Sequence, residues 1–199
     1  MPEVQLSPRR IREHLRRRWY FYLAGIVLLC FLNNLIFTVT RPRTPERALL
    51  RAMLVNVDAT DAELERLEGL LLTAAQAAEP EVRAVEIEPL QYLGEQDAGS
   101  NILLATRFVS GGADLYIADE VSYEVMAARG YCAALDVENL PQGEAAYDPE
   151  TGASCAVRMD AGAILADAEG EIYLFVSAGA DNPAAAEAAL QALTTQASE

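Results

Sequence analysis

The sequence predicts an α/β protein: an N-terminal transmembrane helix followed by one lobe with a mainly parallel sheet and helices on both faces. Three observations carry this reading. Residues 19–39 form an uncharged apolar run, WYFYLAGIVLLCFLNNLIFTV. From Leu49 onward, short apolar runs of β-forming residues alternate with segments of helical period. Strands that alternate with helices imply parallel pairing through crossover connections, with the helices covering both sheet faces.

The membrane assignment comes first along the chain. A spanning helix needs about 20 mainly apolar residues. Residues 1–18 precede it with six Arg against Glu3 and Glu13, a net charge of +4. Cytoplasmic flanks carry the basic excess. The sequence therefore divides into a cytoplasmic basic arm (1–18), a transmembrane helix (19–40), a stalk with two prolines (41–48) and an extracytoplasmic domain (49–199). Trp19, Tyr20, Phe21 and Tyr22 suit the inner interface, where aromatic rings gather. Asn33 and Asn34 lie near the outer end of the run. A cleaved signal has a shorter apolar core and a small-residue cleavage site, absent here. A lipid anchor at Cys30 is disfavoured by the bulky Val27-Leu28-Leu29 before it.

In the domain, 49–57 reads as a strand and 60–78 as a helix. Thr60 stands three residues before Glu63, the spacing of a capping box, and Leu64, Leu67, Leu71 and Leu72 repeat at helical period. Residues 82–90 read as a second strand. NILLATRFVS (101–110) reads as a helix stopped by Gly111-Gly112. Residues 113–118 read as a third strand and 120–129 as a short helix closed by Gly130. Residues 132–136 are extended and lead into a polar loop, 137–152. Residues 154–162 and 171–179 are two further strands joined by ADAEG. Pro183 opens an Ala-rich helix to about residue 196.

Charge excludes some functions. Residues 19–199 hold nine Arg and 28 acidic residues, and no lysine occurs in the chain. Such a domain repels phosphate backbones, so nucleic acid is not expected as a partner. The acidity serves solubility. Asp58-x-x-Asp61-x-Glu63 lacks the glycine and distal glutamate of a calcium loop. The basic arm is a topology signal that also touches anionic headgroups.

Missing residues narrow the chemistry further. The single histidine, His14, lies in the arm. The domain therefore has no His-based triad, no His metal ligand and no Lys-based chemistry. No phosphate-binding glycine loop is present. Carboxylate pairs are the one catalytic route left, and with 28 acidic residues their presence says little. No enzyme activity, cofactor or metal is expected.

Cys132 and Cys155 flank the loop 137–152 on the side where disulfides persist. A bridge between them would stabilise the fold by about 3 kcal/mol. The alternative is a pair of buried thiols at strand starts. The spacing is not C-x-x-C, which argues against redox catalysis.

Ligands of open α/β sheets bind at the carboxyl ends of strands, where strand order switches. If strands 49–57 and 113–118 flank that point, Asp58, Thr60, Asp119, Glu120 and Ser122 face the crevice. Helix capping and dipole pairing account for the same residue types without a ligand.

GGADLYIADEVSYEVMAARGYCAALDV (111–137) resembles the extracellular solute-binding proteins of ABC transporters. The matching parts are the strand Ala113-Asp114-Leu115-Tyr116-Ile117, the helix Tyr123–Gly130 and the extended Ala134-Leu135-Asp136. ADNPAAAEAALQAL (180–193) is similar to a late helix of that family, and 49–78 suits its first β-α unit. The resemblance covers about half of the domain, through structural rather than catalytic motifs. It implies a membrane-anchored relative with one lobe where the family has two. It further implies a binding or accessory module for a small solute or a neighbouring membrane protein such as a transporter component. The alternatives are a structural interaction domain with a vestigial ligand site and, for the fold, a thioredoxin-like layout. Against the latter stand the absent C-x-x-C and the lack of a proline directly before 154–162.

Overall fold

A computed structural model describes residues 16, 18–21, 23–33, 48–94, 96–136, 142–166 and 168–197. The chain divides into two units, Met1–Arg43 and Thr44–Glu199.

In the first unit, residues 18–21 and 23–33 are helical. Their apolar side chains are uncovered: Leu23, Ile26, Leu29 and Phe31 are all more than half exposed. Among the described residues, no helix is long and apolar enough to cross a membrane. Tyr22, the expected outer end of the span (34–40) and the expected stalk through residue 47 lie outside the described residues, as does nearly all of the arm.

The second unit is a mixed α/β domain. Its strands are β1 (Leu49–Val55), β2 (Ala84–Leu90), β3 (Leu115–Asp119), β4 (Glu144–Tyr147), β5 (Ser154–Asp160) and β6 (Glu171–Val176). Its α-helices are α1 (Asp61–Ala78), α2 (Ala98–Val109), α3 (Glu120–Ala128) and α4 (Pro183–Gln196). The six strands form one sheet in the order β2-β1-β3-β6-β5-β4.

The sheet is not mainly parallel. β1 pairs in parallel with β2 and β3, but β3–β6, β6–β5 and β5–β4 are antiparallel. For β6–β5 and β5–β4 the cause is connection length. A parallel return needs a crossover of a dozen or more residues, usually a helix. α1 and α2 supply crossovers for β1, β2 and β3. The links β4–β5 and β5–β6 contain no α-helix, and the latter holds one short turn of 3-10 helix at Ala161–Ala163. β4 itself was not expected; it lies in the polar stretch read as loop 137–152. Cys132, expected in an extended run, makes a single bridge to Ser177.

Side chains alternate between two cores. On one face Leu50, Ala52 and Leu54 of β1 and Leu115 and Ile117 of β3 pack with Leu67 and Leu71 of α1 and Leu190 and Leu193 of α4. On the other, Met53, Val55, Tyr116 and Phe175 pack with Leu104 of α2 and Tyr123 and Met126 of α3. The rings of Tyr116 and Phe175 stack at 5.1 Å. Pro89 sits in β2, an edge strand, where its missing N–H costs no central ladder bond. The expected capping box is present at the start of α1. Beyond the end of α2, Gly111 takes φ +68°, and Gly112 N donates to Arg107 O at 2.7 Å. A Cβ on Gly112 would stand 2.3 Å from that oxygen, so only glycine closes this turn.

Asp114 ties these parts together. It is 3% exposed. Its carboxylate accepts from Arg51 N (3.0 Å) in β1 and from Asp181 N (2.7 Å) and Asn182 N (3.0 Å) at the start of α4. Asn182, the N-cap of α4, makes no side-chain cap of its own. The carboxylate takes that place, and its charge complements the helix dipole. Replacing Asp114 by Ala leaves three amides without their acceptor. We expect a loss of about 3 kcal/mol or more in urea unfolding, with Asp114→Asn losing less because one carbonyl oxygen remains. An unchanged midpoint for Asp114→Ala would remove this role.

Candidate functional site

The strand order places a switch point between β1 and β3. From β1 the chain moves outward to β2 on one side, then returns to β3 on the other. The residues following β1 and β3 gather at this end of the sheet.

Asn56, directly after β1, organises it. Its φ is +54°, the left-handed region that asparagine tolerates better than most side chains. Its amide Oδ1 accepts from Tyr92 N at 2.7 Å, and its Nδ2 donates to Tyr92 O at 2.8 Å. Asn56 N donates to Leu90 O at 3.0 Å. Nδ2 also reaches Ser122 Oγ at 3.2 Å and Asp119 Oδ2 at 3.4 Å. One side chain thus joins the ends of β1 and β2 to the start of α3.

Each expected site residue has an identifiable place. Asp119 is the N-cap of α3, and its Oδ1 accepts from Ser122 N at 3.0 Å. Ser122 is fully buried, so it does not face a crevice. Glu120 lies in the first turn of α3, where a negative charge complements the dipole. Thr60 caps α1: Glu63 Oε2 accepts from Thr60 N at 2.8 Å, and Thr60 Oγ1 accepts from Glu63 N at 3.4 Å. Asp58 is exposed.

Asp58 and Asp119 do meet across a cleft. It measures about 360 Å³, and Asn56, Glu169 and Glu171 complete its polar lining. Thr60, Glu120 and Ser122 are not part of that lining. Glu169 and Glu171 come to this end because β6 runs antiparallel to β3, pairing Ile172 with Asp119. A mainly parallel sheet would have put the start of that strand at the opposite end. The expected strand 49–57 ran over Asn56; the strand ends at Val55, and asparagine is a residue type suited to the positive-φ turn that follows.

The lining carries four carboxylates and no basic side chain. Such a cleft repels anionic solutes and favours cationic groups. Small-molecule sites are mostly apolar with a few polar anchors, and this one is not. Among the described residues, no group of three or more His, Cys, Asp or Glu side chains has an arrangement that could hold a metal ion.

Away from the cleft, Cys132 and Cys155 are free thiols, so the bridge weighed for them is not formed in this structure. Their side chains nevertheless lie together, with the Cys132 thiol donating to the Cys155 sulfur. That bond, with help from the Tyr123 hydroxyl, draws Cys155 down to about 7, while the same bond and burial push Cys132 up.

The cap at Asp119 and the tie at Asn56 make separable predictions. Asp119→Ala should cost about 1 kcal/mol, the usual loss of a helix cap. Asn56→Ala should cost about 2 kcal/mol, combining lost hydrogen bonds with a strained positive φ. Urea titration of each variant checks both. An Asn56→Ala protein no less stable than Asp119→Ala would show that the Tyr92 pairing contributes little.

No family model, curated protein or solved structure matches the chain.

Proposed function

We propose that this chain is a membrane-anchored, extracytoplasmic accessory module without enzyme activity, which docks a neighbouring membrane protein such as a transporter component. The lobe is taken to be akin to one lobe of a solute-binding protein.

One observation carries the docking reading: the outer face of α2 is apolar and uncovered. Val109 is 83% exposed, Ile102 68% and Leu103 43%, with Leu93 just before the helix at 71%. α2 contains no acidic residue, and its one charged side chain, Arg107, pairs with Glu88. In a domain this acidic, an uncharged apolar stripe is the face least costly to bury against another protein. Large apolar side chains exposed together mark interaction surfaces more often than scattered single ones do.

The cleft supports a protein partner over a small solute. Asp119 and Asn56 are engaged in capping and strand tying, and the remaining polar side chains of the lining, Asp58, Glu169 and Glu171, are all acidic. The anchor is supported by the uncharged run 19–39 and by the basic arm before it.

Two experiments test these readings. A C-terminal periplasmic reporter enzyme should be active, and alkaline carbonate should leave the full-length chain in the membrane. A shortened, soluble mature protein would overturn the anchor. A photo-crosslinking side chain at Ile102 should give a discrete adduct with a membrane protein, whereas one at Glu68 on α1 should not. Ile102→Glu should abolish that adduct, trapped from a probe at Val109, without changing the melting temperature. Equal yields from Ile102 and Glu68 would remove α2 as the docking face.

A further inference from the structure

The thiols of Cys132 and Cys155 lie apart from the cleft and the α2 face. The segment around Cys132 runs beside the end of β6. Ala133 N donates to Val176 O at 2.9 Å, and Ala178 N donates to Tyr131 O at 2.8 Å. Just beyond, Leu135 N donates to Ser154 O at 2.9 Å, and Ser154 Oγ donates to Leu135 O at 2.8 Å. The backbone next to both cysteines is therefore held by hydrogen bonds, and the two side chains are brought into contact by the fold. Exposure separates their roles. Cys155 is 2% exposed, whereas Cys132 is only partly buried. The Tyr123 hydroxyl lies 3.3 Å from Cys155 Sγ.

We propose that Cys132 and Cys155 form a disulfide-exchange site, which accepts a disulfide from an external thiol-based oxidant and closes it into an internal bond. The accessible Cys132 passes its proton across the shared hydrogen bond to the Cys155 thiolate, and the Cys132 thiolate so formed attacks one sulfur of the donor disulfide, RS–SR, while the leaving RS⁻ takes that proton back from Cys155. A Cys132–S–SR bond forms, the donor S–S bond breaks, and one RS⁻ leaves. The Cys155 thiolate then attacks Cys132 Sγ. The Cys132–Cys155 bond forms, the mixed disulfide breaks, and the second RS⁻ leaves. The two thiol protons end on the two released RSH molecules. The protein is oxidised by two electrons and the donor disulfide is reduced by two. Thiolates are the attacking species in such exchange, and the hydrogen bond from Cys132, with a smaller one from Tyr123, favours the thiolate at the resolving sulfur against the opposing effects of burial and, more weakly, of Asp148. An internal bond across residues 133–154 would pin the start of β5 to the segment after α3. This goes beyond the docking reading and stands independently of it.

The test uses the full-length chain in detergent micelles, carrying Cys30→Ser to leave only this pair. The reduced protein is treated with excess bis(2-hydroxyethyl) disulfide and followed by intact mass and thiol alkylation. Both thiols should disappear together, leaving a protein two hydrogens lighter than the reduced form, with no retained adduct. Cys155→Ser should retain one mercaptoethanol adduct on Cys132. Cys132→Ser should react at least tenfold more slowly, because Cys155 is buried. Cooperative melting of each serine variant confirms that it is folded, and the alanine variant replaces any that is not. Two thiols still open to alkylation, a retained adduct on the parent, or a Cys132→Ser variant as fast as the parent would each overturn the proposal.

Discussion

The fold depends most on one buried carboxylate. Asp114 stands at the head of β3, and its two oxygens take amide protons from β1 and from the start of α4. Its own backbone adds a donor to Arg51 O and an acceptor for Ser177 N, both at 2.8 Å. Two pieces of chain distant in sequence, β1 at Arg51 and the stretch 177–182, thus converge on one residue. Burying a charge without partners is prohibitive, so this arrangement is stable only when all of them are in place. That requirement makes the carboxylate a device for specificity as much as for stability. It sets where α4 begins, and therefore which face of α4 meets α1.

Much of the architecture was legible because it rests on local rules. The four helices appear where periodicity, caps and glycine stops put them, within a few residues at each end. Thr60 with Glu63 and Gly111 with Gly112 were readable because capping and turn chemistry act over three or four residues. β4 was not readable. GEAAY is too short, too charged and too Ala-rich to show alternation, and pairing with β5 makes it a strand. Strand direction was misread for a related reason. Alternation of element types suggests crossovers, but it does not say which strands end up adjacent. The last three strands follow one another without an α-helix between them, and that fact outweighed the earlier alternation.

The crevice was legible by position and less so by membership. The rule that ligands sit at strand carboxyl ends led to Asp58 and Asp119, which line the cleft. It also led to Ser122, whose hydroxyl is instead buried against Asn56. A hydroxyl one turn into a helix has two places to go, and sequence does not tell them apart. Glu169 and Glu171 were invisible because their presence depends on the antiparallel pairing of β6. Asn56, expected inside a strand, acts instead as a rivet at its end: its amide copies the donor–acceptor pattern of a backbone unit and extends the sheet by one step.

The pairing of α1 with α4 has a consequence for how the domain is made. The two helices share one core, yet Asp61–Ala78 and Pro183–Gln196 lie at opposite ends of the domain sequence. Chains are synthesised from the N-terminus, and long-range contacts form late because their loops must close first. Until residues 181–196 are available, Leu67 and Leu71 lack the cover of α4, and Asp114 lacks two of its three donors. Until then the nascent domain carries its strands with one face only partly covered by α1, and it is vulnerable to aggregation. The fourteen-residue helix α4 completes that core in a single late step.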